Sequence, residues 1–278
     1  MKYSFMSFSC PEADVDEFIS IAGMYGYDGI EPRTGAGHNH GIEPGANKQY
    51  LHDIRKKAAE SKVEICCIAT SCRFADADSQ RENIEAAKRS IELAAEVGAR
   101  AVRVFGGGIS SESERAKSFD LIVGALAQLS GHASSAKVNV CLETHDSWCD
   151  PAAVADIMKQ VNSPYIAVNW DIMHPVLQKS ATVEKSFELL KGWIKHVHVH
   201  DGAQKDGRIE FLAIGEGTVD HKTAIRLLNS SSYDGYISGE WIEWEPYKIC
   251  LPREIAKLKS FEGESYGKLK ENDLSGVV

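Results

Sequence analysis

The chain is 278 residues long, 43% hydrophobic and 26% charged, with a formal net charge of -9. That supplies core for one large α/β domain or two small ones. An acidic chain whose longest basic run is Arg55-Lys56-Lys57 excludes a nucleic-acid partner, which takes concentrated Lys and Arg, and no apolar run reaches the about 18 residues of a membrane span.

The opening residues MKYSFMSFSC lack the sustained apolar segment of a secretion signal, so a cytoplasmic protein is expected. The seven cysteines form no C-x-x-C pair and read as small buried hydrophobes in a reducing compartment.

In chain order, short β-branched and apolar runs alternate with helical stretches. Strands are expected at 3–7, 28–32, 63–69, 101–107, 138–144, 165–171, 194–201 and 236–241, each followed by a helix. Asp150-Pro151 is an N-cap followed by proline at the first helical position, and Gly98, Gly131 and Gly192 stand where helices end. Gly106-Gly107-Gly108 reads as a tight turn. Strands separated by helices must be parallel. Eight such units without a G-x-G-x-x-G favour closure into a single (β/α)8 TIM barrel over an open sheet. The barrel is expected to span 1–261 as one catalytic domain, with a polar, loosely held tail at 262–278.

In such a barrel the chemistry lies at the carboxyl ends of the strands. There the fifth strand delivers Glu143, the sixth Asp171, the seventh His198 and the eighth Glu240. In KHVHVHDG, Lys195 to Gly202, the alternation places His196, His198 and His200 on one face of a strand. Three carboxylates and an imidazole crowded on one rim would repel unless a cation neutralised them. The set is hard and oxygen-rich, which suits one divalent metal ion: Mn²⁺, Co²⁺ or Mg²⁺ before Zn²⁺.

The segments CLETH, NWDIMH, HVHVHDG, GEGTVD and GYISGEW resemble the sugar phosphate isomerase/epimerase family with the xylose isomerase-like barrel. The likeness follows element order along the whole chain and is most specific from Val138 to Trp241. It implies that Glu143, Asp171, His198 and Glu240 are the metal ligands and that His174 and His200 face the substrate, with His196 in the layer below. The chain departs from endonuclease IV-like relatives, offering Thr70-Ser71-Cys72-Arg73 and Phe105-Gly106 where those place further histidines. It departs from ketose 3-epimerases at Cys149 and Gln204, where those carry a glutamate and an arginine.

The resemblance implies proton abstraction next to the carbonyl of a small, carbohydrate-like substrate, through a metal-stabilised enediolate, with Glu143 and Glu240 as acid and base. Return of the proton to the other face gives an epimer, and return to the neighbouring carbon gives an isomer. Departure of a β-hydroxyl, assisted by His174 or His200, makes the enzyme a dehydratase. A non-catalytic sugar-binding barrel is the reading from a different class. Relatives of this kind commonly form dimers or tetramers.

Four more residues stand near the expected rim. Arg33, with His38-Asn39-His40, reads as a polar loop over the mouth, and its guanidinium can hold a carboxylate or phosphate. Phe105 and Trp148 are candidates either for stacking on a sugar's apolar face or for core packing. His145 either orients the metal's surroundings or caps the next helix.

Overall fold

Alternation of period 2 with period 3.6 builds strands that are buried on both faces inside a ring of helices. In the computed structural model, which describes residues 1–242 and 244–274, the barrel strands are β1 (Lys2–Met6), β2 (Gly29–Glu31), β3 (Glu64–Ile65) with β4 (Cys67–Arg73), β5 (Ala101–Phe105), β6 (Asn139–Glu143), β7 (Ile166–Asp171) and β8 (Ile194–Val199). After β8 comes a hairpin, β9 (Asp201–Lys205) and β10 (Arg208–Leu212), and then the last barrel strand, β11 (Tyr236–Gly239).

The sheet is parallel throughout, in the order β3-β2-β1-β11-β8-β7-β6-β5-β4. Its two ends are pieces of one bent strand, so the order closes on itself. Ala69 N donates to Pro32 O at 3.0 Å and Thr34 N to Ala69 O at 2.9 Å across the seam. β3 and β4 together occupy the third of the eight expected positions.

The outer ring consists of α1 (Val15–Tyr25), α2 (Lys48–Glu60), α3 (Ala77–Val97), α4 (Arg115–Ala136), α5 (Pro151–Val161), α7 (Val183–Leu190), α8 (His221–Ser230) and α9 (Tyr247–Leu274), with a short α6 (Met173–Leu177) between β7 and α7. Asp14, Asp150 and Asp220 cap α1, α5 and α8 through their carboxylates. Gly98 ends α3 in the left-handed region at φ 80°. Gly131, expected at a helix end, lies inside α4, which runs on to Lys137 at φ 55°. The buried Leu129 and Ala133 carry that helix past the glycine. Glu262, where the tail was expected to begin, belongs to α9 and accepts from the N-terminal ammonium at 2.7 Å.

Side chains pointing out of the barrel, such as Val102, Val140, Leu142, Val168, Val197 and Ile237, pack under the helices in the main core. A separate cluster of small residues, Cys66, Cys67, Ala101, Cys141 and Ala167 with Tyr236, fills the amino end of the barrel. Alternation from that floor puts the polar side chains on the same inward face, one or two layers up. Ala101 is followed inward by Arg103, Cys141 by Glu143, and Ala167 by Asn169 and Asp171. All seven cysteines are free and buried. Among the described residues no helix is long and apolar enough to cross a membrane.

Candidate metal centre

Glu143 ends β6, Asp171 ends β7, His198 is the last inward residue of β8 and Glu240 follows β11 directly. Their ligand atoms lie within 4.8 Å of one another and all four residues are buried. His198 sits in the middle, its Nδ1 2.7 Å from Glu143 Oε1 and 3.2 Å from Glu240 Oε2. Asp171 Oδ1 accepts the backbone N–H groups of Met173 and His174 at 2.8 and 2.9 Å, while Oδ2 faces His200 Nε2 at 2.8 Å. The backbone therefore aims the carboxylate before any ligand arrives.

Two residues that sequence reasoning did not single out complete the centre. Glu31, the fully buried last residue of β2, places Oε2 2.8 Å from His196 Nε2, and its carboxylate oxygens lie 3.1 and 3.2 Å from His198 Nε2. Arg103, on the inward face of β5, lies 3.4 Å from Glu143 Oε2, donates to Thr70 O at 2.7 Å and covers the Phe105 ring at 4.0 Å. Asn169 Nδ2 donates to Glu143 Oε1 at 3.1 Å.

Burial works against charge on each of these groups, and the neighbours reverse it. Glu240 is held down at about 2 by His198 and then His200, against desolvation. Asp171 is lowered by His200 and His174, again against desolvation. His198 is held well above the usual imidazole range because Glu31, Glu143 and Glu240 outweigh its burial.

Four buried carboxylates thus surround His198 with one buried guanidinium in contact. Glu143 Oε2 and Glu240 Oε2 are buried and accept no hydrogen bond. A donor set of three carboxylates and one imidazole, with excess negative charge and two oxygens lacking a donor, fits a divalent cation.

The other expected residues separate into mouth and core. His145, His174 and His200 form a row of edge-to-face rings, 4.2 Å and 5.3 Å between centroids, beside Asp171. Phe105 stands at one end of the row, 4.9 Å from His145, and Phe211 of β10 stacks on His200 at 5.7 Å. His145 pairs with Asp146 at 2.9 Å and is pushed up to about 9, since Asp146 and Glu143 outweigh burial. It caps no helix through its side chain. Arg33 lies inward one layer above Glu31, bonded to Ser71 Oγ and Thr34 O. Its pKa is lowered to about 10, by burial first and Arg103 second.

Trp148 is not brought to the mouth. It is fully buried, packed on Phe119 and on the backbone of Gly106, where a Cβ would collide with the indole. The first glycine of the triple-glycine loop is there for that close approach. The hairpin of β9 and β10 was also not foreseen, although Asp206-Gly207, both at positive φ, is a hairpin turn signal. Asp201 anchors it, accepting from the backbone N–H groups of Gly202, Gly215, Gly217 and Val219.

Among solved structures, a D-tagatose 3-epimerase-like protein superposes with a TM-score of 0.78 at 22% identity, covering 97% of this chain and 100% of that one. The probable 3-DHS dehydratase AsbF of Bacillus anthracis, involved in petrobactin synthesis, gives 0.75 at 20% identity, covering 93% and 99%. The IOLI protein with a bound zinc atom gives 0.77 at 18% identity, covering 96% and 99%. At these identities the likeness is one of fold. No curated protein matches the chain. The family profile described as "Xylose isomerase-like TIM barrel" matches residues 19–255, most of the closed parallel sheet and its helices, and the chain therefore belongs to the xylose isomerase-like TIM barrel family.

Proposed function

We propose that the protein is a divalent-metal-dependent isomerase or epimerase of a small polyhydroxy carbonyl compound, a ketose, keto sugar or inosose, working by proton abstraction next to the carbonyl. The observation that carries this is the pair of buried carboxylate oxygens without a donor, Glu143 Oε2 and Glu240 Oε2, with His198 between the two side chains. Glu143, Asp171, His198 and Glu240 would hold the ion, and a bound Mn²⁺, Co²⁺, Mg²⁺ or Zn²⁺ supplies Lewis-acid polarisation of the carbonyl and charge neutralisation.

The rest of the work falls to the chain. Glu240, held at about 2, is ionised at neutral pH and can accept a proton from carbon. Glu143 reaches the site from β6, with β7 and β8 between it and β11, so the two carboxylates serve different sides of a bound substrate. Removal by one and return by the other inverts a centre, and return to the neighbouring carbon moves the carbonyl. Arg103 and Asn169 fix the Glu143 carboxylate, His174 and His200 contact the substrate above Asp171, and Phe105 and Phe211 enclose the row of imidazoles. Arg33 takes a carboxylate or phosphate on the substrate, its fork being suited to either. The names of the neighbouring structures, an epimerase-like protein and one holding zinc, agree with this reading.

A dehydratase is the second reading, favoured by the His145–His174–His200 row beside the metal set. An imidazolium there can protonate a departing β-hydroxyl after the same proton abstraction, and one neighbour is named a dehydratase.

Solvent deuterium exchange tests both. Metal-loaded enzyme in D₂O with candidate ketoses, 3-keto sugars and inososes should label the carbon next to the carbonyl, and Glu143→Gln or Glu240→Gln should abolish the label. Loss of water from a product marks the dehydratase. Undiminished exchange in both variants, or none with any compound of the panel, would sink the proposal.

A further inference from the structure

Glu31 touches no cation other than imidazole: among the described residues its only ion-pair partners are His196 and His198. It is fully buried, and a carboxylate kept from water is expensive unless its surroundings hold it charged. Both partners present Nε2 to it, at 2.8 Å from His196 and 3.1 Å from His198. The two rings meet edge to face at 5.3 Å. A carboxylate of this kind accepts only, so each Nε2 carries its proton toward Glu31. The other nitrogen of His198, Nδ1, points the opposite way, at Glu143 and Glu240.

We propose that Glu31 is the positioning residue of the metal centre: it keeps a proton of His198 on Nε2, so that Nδ1, its own proton displaced by the ion, is the ligating nitrogen, and His196 holds Glu31 in place from below. The inference rests on the metal-site reading above. A carboxylate behind a ligating imidazole sets ring orientation and raises the donor strength of the other nitrogen. The sequence places this device economically. His196 and His198 share a face of β8, and Glu31 enters at the end of β2, reaching across the barrel interior. An apolar residue would fill the same volume without desolvating a charge, so packing alone does not account for a glutamate here.

The experiment uses the full chain stripped of metal and titrated with Mn²⁺ or Co²⁺ by calorimetry, with Glu31→Gln, Glu31→Ala and His198→Ala beside the wild type. Affinity should fall about ten- to hundredfold in Glu31→Ala and less in Glu31→Gln, which keeps an acceptor oxygen for Nε2–H. A ¹H–¹⁵N spectrum of the imidazoles of the Zn²⁺-loaded wild type should show His198 protonated at Nε2 and bound through Nδ1. This second measurement needs no variant to fold. Wild-type affinity in both Glu31 variants while His198→Ala loses the ion would overturn the role of Glu31 and leave the metal centre standing. A His198 protonated at Nδ1 in the loaded protein would overturn the role of Glu31 and take His198 out of the ligand set. A wild type that binds no divalent ion would overturn both.

Discussion

Arg103 and Glu143 form an ion pair in which both side chains are out of solvent, 1% and 0% exposed, with Nε 3.4 Å from Oε2. The spacing is too long and oblique to be a hydrogen bond, and both atoms lack a partner by that measure. Glu143 is thus balanced in charge yet keeps an oxygen free, which is what a group that must ligate and exchange a proton requires. The guanidinium is itself immobilised by Thr70 O and the Phe105 ring. Replacing it with an apolar chain, Arg103→Met, leaves the buried carboxylates without their cation. Breaking such a pair costs about 3–5 kcal/mol. Urea unfolding in chelator should show a loss of that size, and saturating Mn²⁺ should recover part of it. An equal loss with and without metal would mean that Arg103 and the ion do not share the same negative charge.

Ligand binding to the folded state alone should stabilise it, by about 2.7 kcal/mol at a hundredfold excess over Kd. The thermal midpoint of stripped protein should therefore rise with Mn²⁺, Co²⁺ or Zn²⁺, saturating near one equivalent. His198→Ala and Glu240→Gln should abolish the rise. Metal analysis of the purified protein gives the stoichiometry directly, and a wild type that stays metal-free after soaking contradicts the centre.

Most of this architecture was legible because each barrel unit is marked twice, by a β-branched run and by a capped helix such as the one after Asp150. The four proposed ligands were legible because position in the eight-unit count, rather than residue type, selects strand ends. Glu31 was not. It falls inside the strand expected at 28–32, but nothing local marks it as functional, because its partners are 165 and 167 residues away. Arg103 left a signal that went unused, a lone cation on one face of the apolar strand Ala-Val-Arg-Val-Phe. Trp148 shows the opposite failure: an aromatic in a loop after a strand end invites a substrate role, but whether it faces in or out depends on Gly106, across the loop on which it packs.

His40 gives a pH dependence with a definite sign. It is 1% exposed, its Nδ1 accepts from Ile42 N at 3.0 Å, and its Nε2 lies 3.2 Å from Arg33 O. The neutral Nε2–H tautomer satisfies both contacts, and a proton on Nδ1 would face the Ile42 N–H. Burial, against the pull of the Arg33 carbonyl, lowers its pKa to about 4 from 6.5. The unfolded chain binds this proton more readily, so the contribution is fully present above about 6.5 and is lost as pH falls toward about 4. The bound is about 3 kcal/mol, at 1.36 kcal/mol per pH unit. Urea midpoints between about pH 7 and pH 4 should fall less steeply in His40→Gln than in the wild type, and parallel curves would contradict the assignment.

Arg33 is proposed to set what kind of group the mouth accepts. It follows Glu31 by two positions on the same inward face, where it crosses the seam opposite Ala69. Among the described residues no carboxylate lies within ion-pairing distance of it, and Ser71 Oγ and Thr34 O hold the fork from the side. A half-buried cation that feels Glu240 and Glu43 but pairs directly with neither can be completed by an anion from outside. Two bonds to a carboxylate or phosphate are lost in Arg33→Met, and Arg33→Lys restores charge without the fork. For a keto sugar acid or a sugar phosphate, KM should rise at least about tenfold in Arg33→Met, the loss of one charge-assisted bond of about 1.5–3 kcal/mol. For the matching uncharged sugar KM should stay within about twofold, a change below 0.5 kcal/mol. Inorganic phosphate should raise the thermal midpoint of the wild type and leave that of Arg33→Met unmoved. An equal rise in both proteins, or equal KM shifts for charged and uncharged sugars, would remove Arg33 from substrate recognition.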